Sequence, residues 1–337
     1  MVELEPDVDE PGSTDVLDAR GGPVDEEGDD IAHAAQPATS AAMITARHNL
    51  RFTSRMRRVL SLPRRHAGAQ WCCRAGLQPM AKVRIGFFSF TEVTDPAEHR
   101  SYNDWHQLDH MPEQFPIPGV VFGQRWVSTP ACRRMRALDD SELAPVHYMT
   151  LYLMGEPVDA TLKEFRAVGE RLRAAGRFHE HRRSRLSGPF AVTGLEAAPR
   201  VLVSAEAIPF RPNRGVYVVV RAGRRDSTSG PRTPGPADDR SRTADERDVA
   251  LAGALLEVGG VAGVWTFASD ERFDRHGWRP GDKTITVCYL DAAPISVASS
   301  LSDIVRASVD ENSWSVVFAG PLETITPWSW DWFDDDA

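Results

Sequence analysis

Cysteine is scarce: the 337 residues contain four, Cys72, Cys73, Cys132 and Cys288. None stands in C-x-x-C spacing, and a bridge between the adjacent Cys72 and Cys73 would be strained. A reduced, cytoplasmic setting is expected. No apolar run approaches the roughly 18 to 20 residues needed to cross a bilayer, so no membrane partner is expected. A Ser/His/Asp elbow, a P-loop and a dinucleotide fingerprint are also missing, which removes the common hydrolase and nucleotide-binding readings. The net charge of −9 argues against a general nucleic-acid binder.

The charge that is present is uneven. Met1 to Ile31 holds twelve acids and one arginine, whereas Arg47 to Met80 holds eight arginines and no acid. A targeting peptide would place such a basic stretch at the extreme N-terminus. Residues 1–79 are therefore expected to be a disordered leader, or to precede a true start at Met80. The length exceeds what one core usually serves, so two units are expected beyond this leader.

From Val83 the pattern becomes regular. VRIGFFSFTEV reads as a buried strand. Asp95-Pro96-Ala97-Glu98 opens a helix with an Asp N-cap and proline at the first position, and Pro112 ends it near Met111. GVVFGQRWVST is a strand, PACRRMRALDDSELAP an arginine-rich loop read as solvated, and VHYMTLYLM a strand. VDATLKEFRAVGERLRAAGRF carries Leu162, Phe165, Val168 and Leu172 at helical spacing, and GPFAVTGLEAA closes the unit. Strand, helix, strand, strand, helix, strand is the split βαβ, ferredoxin-like order.

The same grammar returns after a connector at 201–214. GVYVVVRAG is a strand, 224–245 a disordered insertion, ERDVALAGALLEVGG a helix, VAGVWTFAS and TITVCYLDAA strands, ISVASSLSDIVRASV a helix and VVFAGPLETIT the last strand. Two landmarks align the copies: Tyr152-Leu153 before Pro157 with Tyr289-Leu290 before Pro294, and Gly188-Pro189-Phe190 with Gly320-Pro321-Leu322. The expected organisation is a first unit over 80–200, a second over 215–326 and a Trp-rich acidic tail at 327–337. Each four-stranded sheet would leave one face bare, and packing the two bare faces together buries both. The fold class expected is α+β, with tandem ferredoxin-like units packed sheet-to-sheet as an intramolecular α+β barrel, a monomeric pseudo-dimer or a higher homo-oligomer.

YNDWHQLDHMPEQFPIPG, residues 102–119, is the most informative stretch. On a helix His106 and His110 share a face with Tyr102, while Trp105 and Leu108 are core candidates on an adjoining stripe. A zincin would have glutamate where Gln107 stands, and the third ligands on offer, Glu113 and the distant His147, belong to no motif, so no metal is expected. An imidazole can take or give a proton at neutral pH without much tuning. A histidine at a helix C-terminus is also favoured by the macrodipole alone, so a capping role without function stays open.

Alternation along VHYMTLYLM puts Tyr148, Thr150 and Tyr152 on one face and His147, Met149 and Leu151 on the other. Arg125 in GQRWV is the natural partner for a carboxylate or enolate. The alternating Trp328, Trp330 and Trp332 of the tail would lie on one side of a strand and cover the barrel end or a partner.

The run W-H-x-x-D-H-x-P, followed by a Pro-Gly turn and a strand opening G-V-V, resembles the first-helix signature of the EthD-like branch of the dimeric α+β barrel superfamily. The resemblance covers about 120 residues, Met80 to Ala198. It places the key histidine on His110, the proline on Pro112 and the aromatic on Trp105 or His106. It implies a pocket between helix and sheet in which that histidine moves protons, with no cofactor.

The catalytic candidates are thus His110, His106, Tyr148 and Arg125, and the pocket candidates Trp105, Tyr102 and Tyr152. The expected function is cofactor-independent chemistry (isomerisation, cyclisation or oxygenation) on a small hydrophobic carbonyl or aromatic molecule. Two alternatives stay open: a non-catalytic binding or assembly protein, favoured by the lack of this motif in the second copy, and a haem protein, because other branches of the superfamily ligate haem through histidine.

Overall fold

The computed structural model describes residues 83–140, 142–223, 238–270, 282–308 and 314–334. The readings made for residues 1–79 and for most of the insertion at 224–245 lie outside them. Among the described residues no helix is long and apolar enough to cross a membrane.

In the first half the strands are β1 (Ile85–Val93), β2 (Val120–Val127), the short β3 (Leu138–Asp139), β4 (Tyr148–Met154) and β5 (Arg182–Ala197). The helices are α1 (His99–Trp105), α2 (Pro130–Arg134) and α3 (Val158–Ala174). The second half has β6 (Gly215–Gly223), α4 (Asp238–Leu256), β7 (Val261–Ser269), β8 (Lys283–Leu290), α5 (Pro294–Ser308) and β9 (Trp314–Thr324). Helix α4 starts at Asp238, inside the stretch read as insertion, and a 3-10 helix at Ala205–Phe210 occupies the connector.

The strands form one antiparallel sheet in the order β2-β4-β1-β5-β7-β8-β6-β9-β3, and an additional β2–β9 pairing closes it on itself. The order is the same in each half: the second strand of the half lies at one edge, then the third, the first and the last, which is the ferredoxin-like permutation. β5 meets β7 over seven residue pairs from Phe190↔Ser269 to Ala197↔Gly263, while β2 meets β9 through Trp126↔Thr324 and Val127↔Glu323. The chain therefore folds as an α+β barrel.

Alternation fills both sides of this sheet. Phe88, Phe90, Met149, Leu151, Val216, Val218, Val220, Phe267, Val287 and Phe318 form one inner core. Tyr217, Val219, Cys288 and Leu290 pack instead under α4 and α5 of the second half. On the helix side of the first half lie Tyr148 and Val127 with Tyr102, and Ile85, Tyr152 and Met154 with Met111 and Leu162.

The Gly-Pro landmark aligns residue for residue: Phe87 faces Pro189 as Tyr217 faces Pro321, and Gly86 faces Phe190 as Val216 faces Leu322. The Tyr-Leu landmark does not. β1 opens Ile85↔Met154 and β6 opens Gly215↔Leu290, so Tyr289 corresponds to Leu153 and points into the inner core. A slip of one residue turns every side chain to the other face.

Three further expectations need correction. The arginine-rich loop is not merely solvated: the Arg136 side chain is buried and donates to Ser128 Oγ at 3.0 Å and to the Ala144 carbonyl at 2.7 Å, and Arg133 Nη1 reaches His147 Nε2 at 2.8 Å. The tail is a series of turns rather than a strand, so its indoles do not share a side; Trp330 is 4% exposed and Trp328 73%. Leu108 is 51% exposed, and Met111 fills the core position expected of it.

Gly119 sets the turn before β2. Its φ of +91° is open mainly to glycine, and a Cβ there would fall 2.0 Å from Thr161 Oγ1 on α3. That hydroxyl is itself bonded to the Pro118 and Pro157 carbonyls at 2.9 and 2.8 Å. Gly119→Ala is expected to destabilise the chain by about 2 to 4 kcal/mol, read as a lower urea midpoint at unchanged slope.

Candidate functional site

The helix after β1 starts as the sequence predicts, with Asp95 Oδ1 accepting from Ala97 N at 3.0 Å. It does not continue as one α-helix to Met111. Residues His106–His110 form a π-helical turn, sealed by Met111 N donating to the His106 carbonyl at 2.9 Å, and Pro112–Gln114 then tighten into a 3-10 turn. Pro112 has no N–H to offer the carbonyl four residues back, so the regular ladder cannot close. Such widened turns are frequent at functional sites.

The turn is anchored from outside. Arg177 donates to Asp109 Oδ1 at 2.7 Å and Glu113 Oε1 at 2.8 Å, and Trp105 Nε1 donates to the Arg177 carbonyl at 2.8 Å. These hold the turn to the end of α3, and the two imidazoles lie together with ring centroids 5.3 Å apart. The Tyr102 hydroxyl lies 3.0 Å from His106 Nδ1. His110 is stacked on Trp105 at 4.7 Å and meets the edge of Phe178 at 5.2 Å.

Beneath the turn, the sheet presents a polar row. Ser89, Thr150 and Arg125 are cross-strand neighbours on β1, β4 and β2, with Tyr148 and Tyr152 on either side of Thr150. Arg125, 3% exposed, donates from Nη2 to Asn103 Oδ1 at 2.9 Å, and its guanidinium lies 5.3 Å from the Tyr102 ring and 5.7 Å from the Tyr148 ring. Asn103 Nδ2 in turn donates to the Tyr148 hydroxyl at 2.9 Å, which also meets His99 Nδ1 at 2.9 Å. Phe333 of the tail stacks on His99 at 3.9 Å.

The seven predicted residues thus converge on one helix–sheet interface. Tyr148 already shares its hydroxyl with two neighbours, whereas Tyr152 does not. Several buried polar atoms in this interface lack any hydrogen-bond partner: His106 Nε2, His110 Nδ1, Arg125 Nε and Nη1, Thr150 Oγ1 and Tyr152 Oη. Buried polar groups are nearly always paired, so these atoms leave spare hydrogen-bonding capacity at the interface. His147 lies at the margin of the interface: its ring meets those of His99 and Phe333 at 4.7 and 5.3 Å, Val93 N donates to its Nδ1 at 3.2 Å, and Nε2 faces Arg133.

Burial, and then the charges of Arg125, His110 and Arg182, hold His106 well below the ordinary imidazole range. Burial and Arg182 bring His110 down to about 4, with Asp109 opposing them. Both imidazoles are therefore neutral at pH 7. Burial lowers the Arg125 guanidinium and raises the Tyr148 and Tyr152 phenols, which stay protonated donors.

Asn103, His99, Thr150 and Arg182 complete the cluster without having been predicted as site residues. Thr150 was legible as the strand neighbour of two tyrosines; nothing local distinguishes Asn103 or Arg182 from surface residues. An open groove of about 760 Å³ lies on the outer flank, between Glu113–Pro118 and α3, and its lining includes none of the histidines.

Among the described residues no group of three or more His, Cys, Asp or Glu side chains could hold a metal ion. Haem needs an imidazole nitrogen facing a flat open slot. Here Trp105 and Phe178 cover His110, Tyr102 and Trp105 cover His106, and two guanidiniums stand nearby. These residues do not fit haem.

No protein-family model and no curated protein matches the chain. Among solved structures it is similar to a candidate chlorite dismutase, at 11% identity over 75% of this chain and 99% of that one, with a TM-score of 0.43. It is also similar to a candidate monooxygenase from Fusobacterium nucleatum, at 10% identity over 72% and 93% with a TM-score of 0.40. An anthrone oxidase-like protein matches at 11% identity over 73% and 94%, with a TM-score of 0.37. Superpositions this loose carry nothing about activity, and the fold is read from the strand order itself.

Proposed function

We propose that the chain is a tandem pair of ferredoxin-like units of the EthD-like kind whose first half is a cofactor-independent proton-transfer enzyme acting on a small carbonyl or aromatic compound. The observation that supports this best is the pair of neutral imidazoles whose buried His106 Nε2 and His110 Nδ1 are left unpartnered at the same helix–sheet interface as the equally unpartnered hydroxyls of Thr150 and Tyr152. A proton acceptor beside neutral donors is what removal of a proton alpha to a carbonyl requires.

His110 is the proton-transfer residue in this reading. His106 is 4% exposed, whereas His110 is half-buried and can exchange its proton with water. Its Nδ1 takes the proton as the C–H bond breaks, and the electron pair moves into the carbonyl. The Tyr152 and Thr150 hydroxyls donate to the oxygen as it gains charge. Return of the proton to another carbon completes an isomerisation, which balances without an oxidant or reductant.

Mass spectrometry of small molecules released from the denatured protein supplies the substrate class to assay. His110→Ala is then expected to lower kcat by about 10² to 10⁴ with KM little changed. Full turnover by that variant would remove the proposal, and binding without turnover by the wild type would favour a binding protein.

A further inference from the structure

The two halves treat a buried arginine differently. Arg221 on β6 and Arg125 on β2 both project to the helix side of the sheet, 9% and 3% exposed. Arg221 has a carboxylate beside it, Asp248 of α4. Two more arginines have a carboxylate: Arg136 lies 3.3 Å from Asp139, and Arg185 2.6 Å from Glu92. Arg125 has the Asn103 amide oxygen, two tyrosine rings and two unpartnered nitrogens. Taking a guanidinium out of water without a counter-charge is unfavourable, and neutral groups, the Asn103 amide oxygen with the Tyr102 hydroxyl, do not offset it.

We propose that Arg125 binds a carboxylate carried by the small molecule, so that the first half takes organic carboxylates and not neutral ketones or hydrocarbons. This rests on the proposed function only in placing the ligand at the same interface. Thr150 Oγ1, the cross-strand neighbour of Arg125, and the Tyr152 hydroxyl are neutral donors left for another oxygen of the same molecule. A guanidinium with free nitrogens beside neutral donors matches a carboxylate. Arg182, the other cation of the cluster, lies over the Trp105 and Phe178 rings at 5.7 and 5.0 Å. The permanent charge of the ligand then sits on Arg125 and the developing charge on the hydroxyls. Pairing Arg125 with an anion also removes one of the charges that depress His106 and His110, which makes both better bases when the ligand is bound.

The test uses acetate, the smallest carboxylate with a methyl, against its neutral isostere acetamide, by thermal melting of the full chain. In 100 mM acetate the melting temperature of the wild type rises by about 3 °C more than that of Arg125→Gln, while acetamide moves both alike. Inorganic phosphate gives a smaller difference than acetate. Without added anion, Arg221→Gln melts at least about 5 °C below the wild type because it strands Asp248, and Arg125→Gln melts at or above it. Equal responses to acetate and acetamide, or the same acetate response in Arg125→Gln, would overturn the proposal. So would an Arg125→Gln protein as unstable as Arg221→Gln, since Arg125 would then be a structural brace. His110→Ala keeps the acetate response, so loss of the proton-transfer reading leaves this result standing.

Discussion

Lowering the pH from 7 to 5 drops the melting temperature of this chain by about 10 °C, well before most carboxylates titrate. Burial is the main cause for both histidines concerned. In the folded chain His110 titrates at about 4 and His147 at about 3, the latter also depressed by His99, Arg133 and Arg136. In the unfolded chain each titrates near ~6.5. A group whose folded pKa lies below its unfolded one binds more protons when unfolded, so stability falls as the pH drops through ~6.5. The loss continues down to the folded values of about 4 and 3.

From ~6.5 to 5 each histidine contributes a loss of roughly 2 kcal/mol before solvent screening, and His106 adds to it in the same direction. A loss of this size shifts the midpoint of a domain of this length by about 2 to 4 °C per kcal/mol. Melts in a buffer series check it, with His110→Asn and His147→Asn flattening the slope. A midpoint constant from pH 7 to 5 would mean that the imidazoles are solvated in the fold. The same depression carries over to turnover: with His110 as base, the acid limb falls near pH 4 and the rate is flat through neutrality.

Trp126→Ala is expected to lower stability by about 3 to 5 kcal/mol, the range for deleting a buried indole. Trp126 is fully buried, lies in the inner core and has its ring 6.4 Å from Tyr289 of the second half. Its Nε1 donates to Asn213 Oδ1 at 3.1 Å, and the same oxygen accepts from Thr324 Oγ1 at 2.7 Å. The substitution therefore opens a cavity and loosens the junction where β2 meets β9, which is only two residue pairs long. A fall in the urea midpoint at constant slope measures it, with Trp126→Phe recovering more than half of the loss. Equal stability of Trp126→Ala and wild type would show that the barrel does not depend on this closure.

How much of this was legible beforehand varied with the range of the interaction. Period-2 alternation assigned Tyr148, Thr150 and Tyr152 to one face and Met149 and Leu151 to the other, because a strand's pleat is local. Gly188-Pro189-Phe190 and Gly320-Pro321-Leu322 aligned the halves because each triplet sits opposite the first strand of its own half in the same register. Tyr152-Leu153 and Tyr289-Leu290 misled, because a dipeptide does not say which of its residues faces inward. The tryptophan tail misled similarly: alternation implies one face only if the segment is extended, and this one turns.

The sequence by itself determined the order of the main strands and helices, though not the short α2 and β3 inside the stretch read as a loop, together with the capped start of the first helix, the interruption at Pro112 and the candidacy of His106 and His110. These follow from periodicity, propensity and missing donors, all of which act within a few residues. Only the tertiary structure decided which polar groups share one buried interface, that His147 packs at its margin against His99, and that among the described residues Arg125 lacks a carboxylate where Arg221 has one. Desolvation and charge pairing depend on what else arrives at the same place. Arg125 and Asn103 are 22 residues apart, and Asn103 and Tyr148 are 45; no local pattern carries that information.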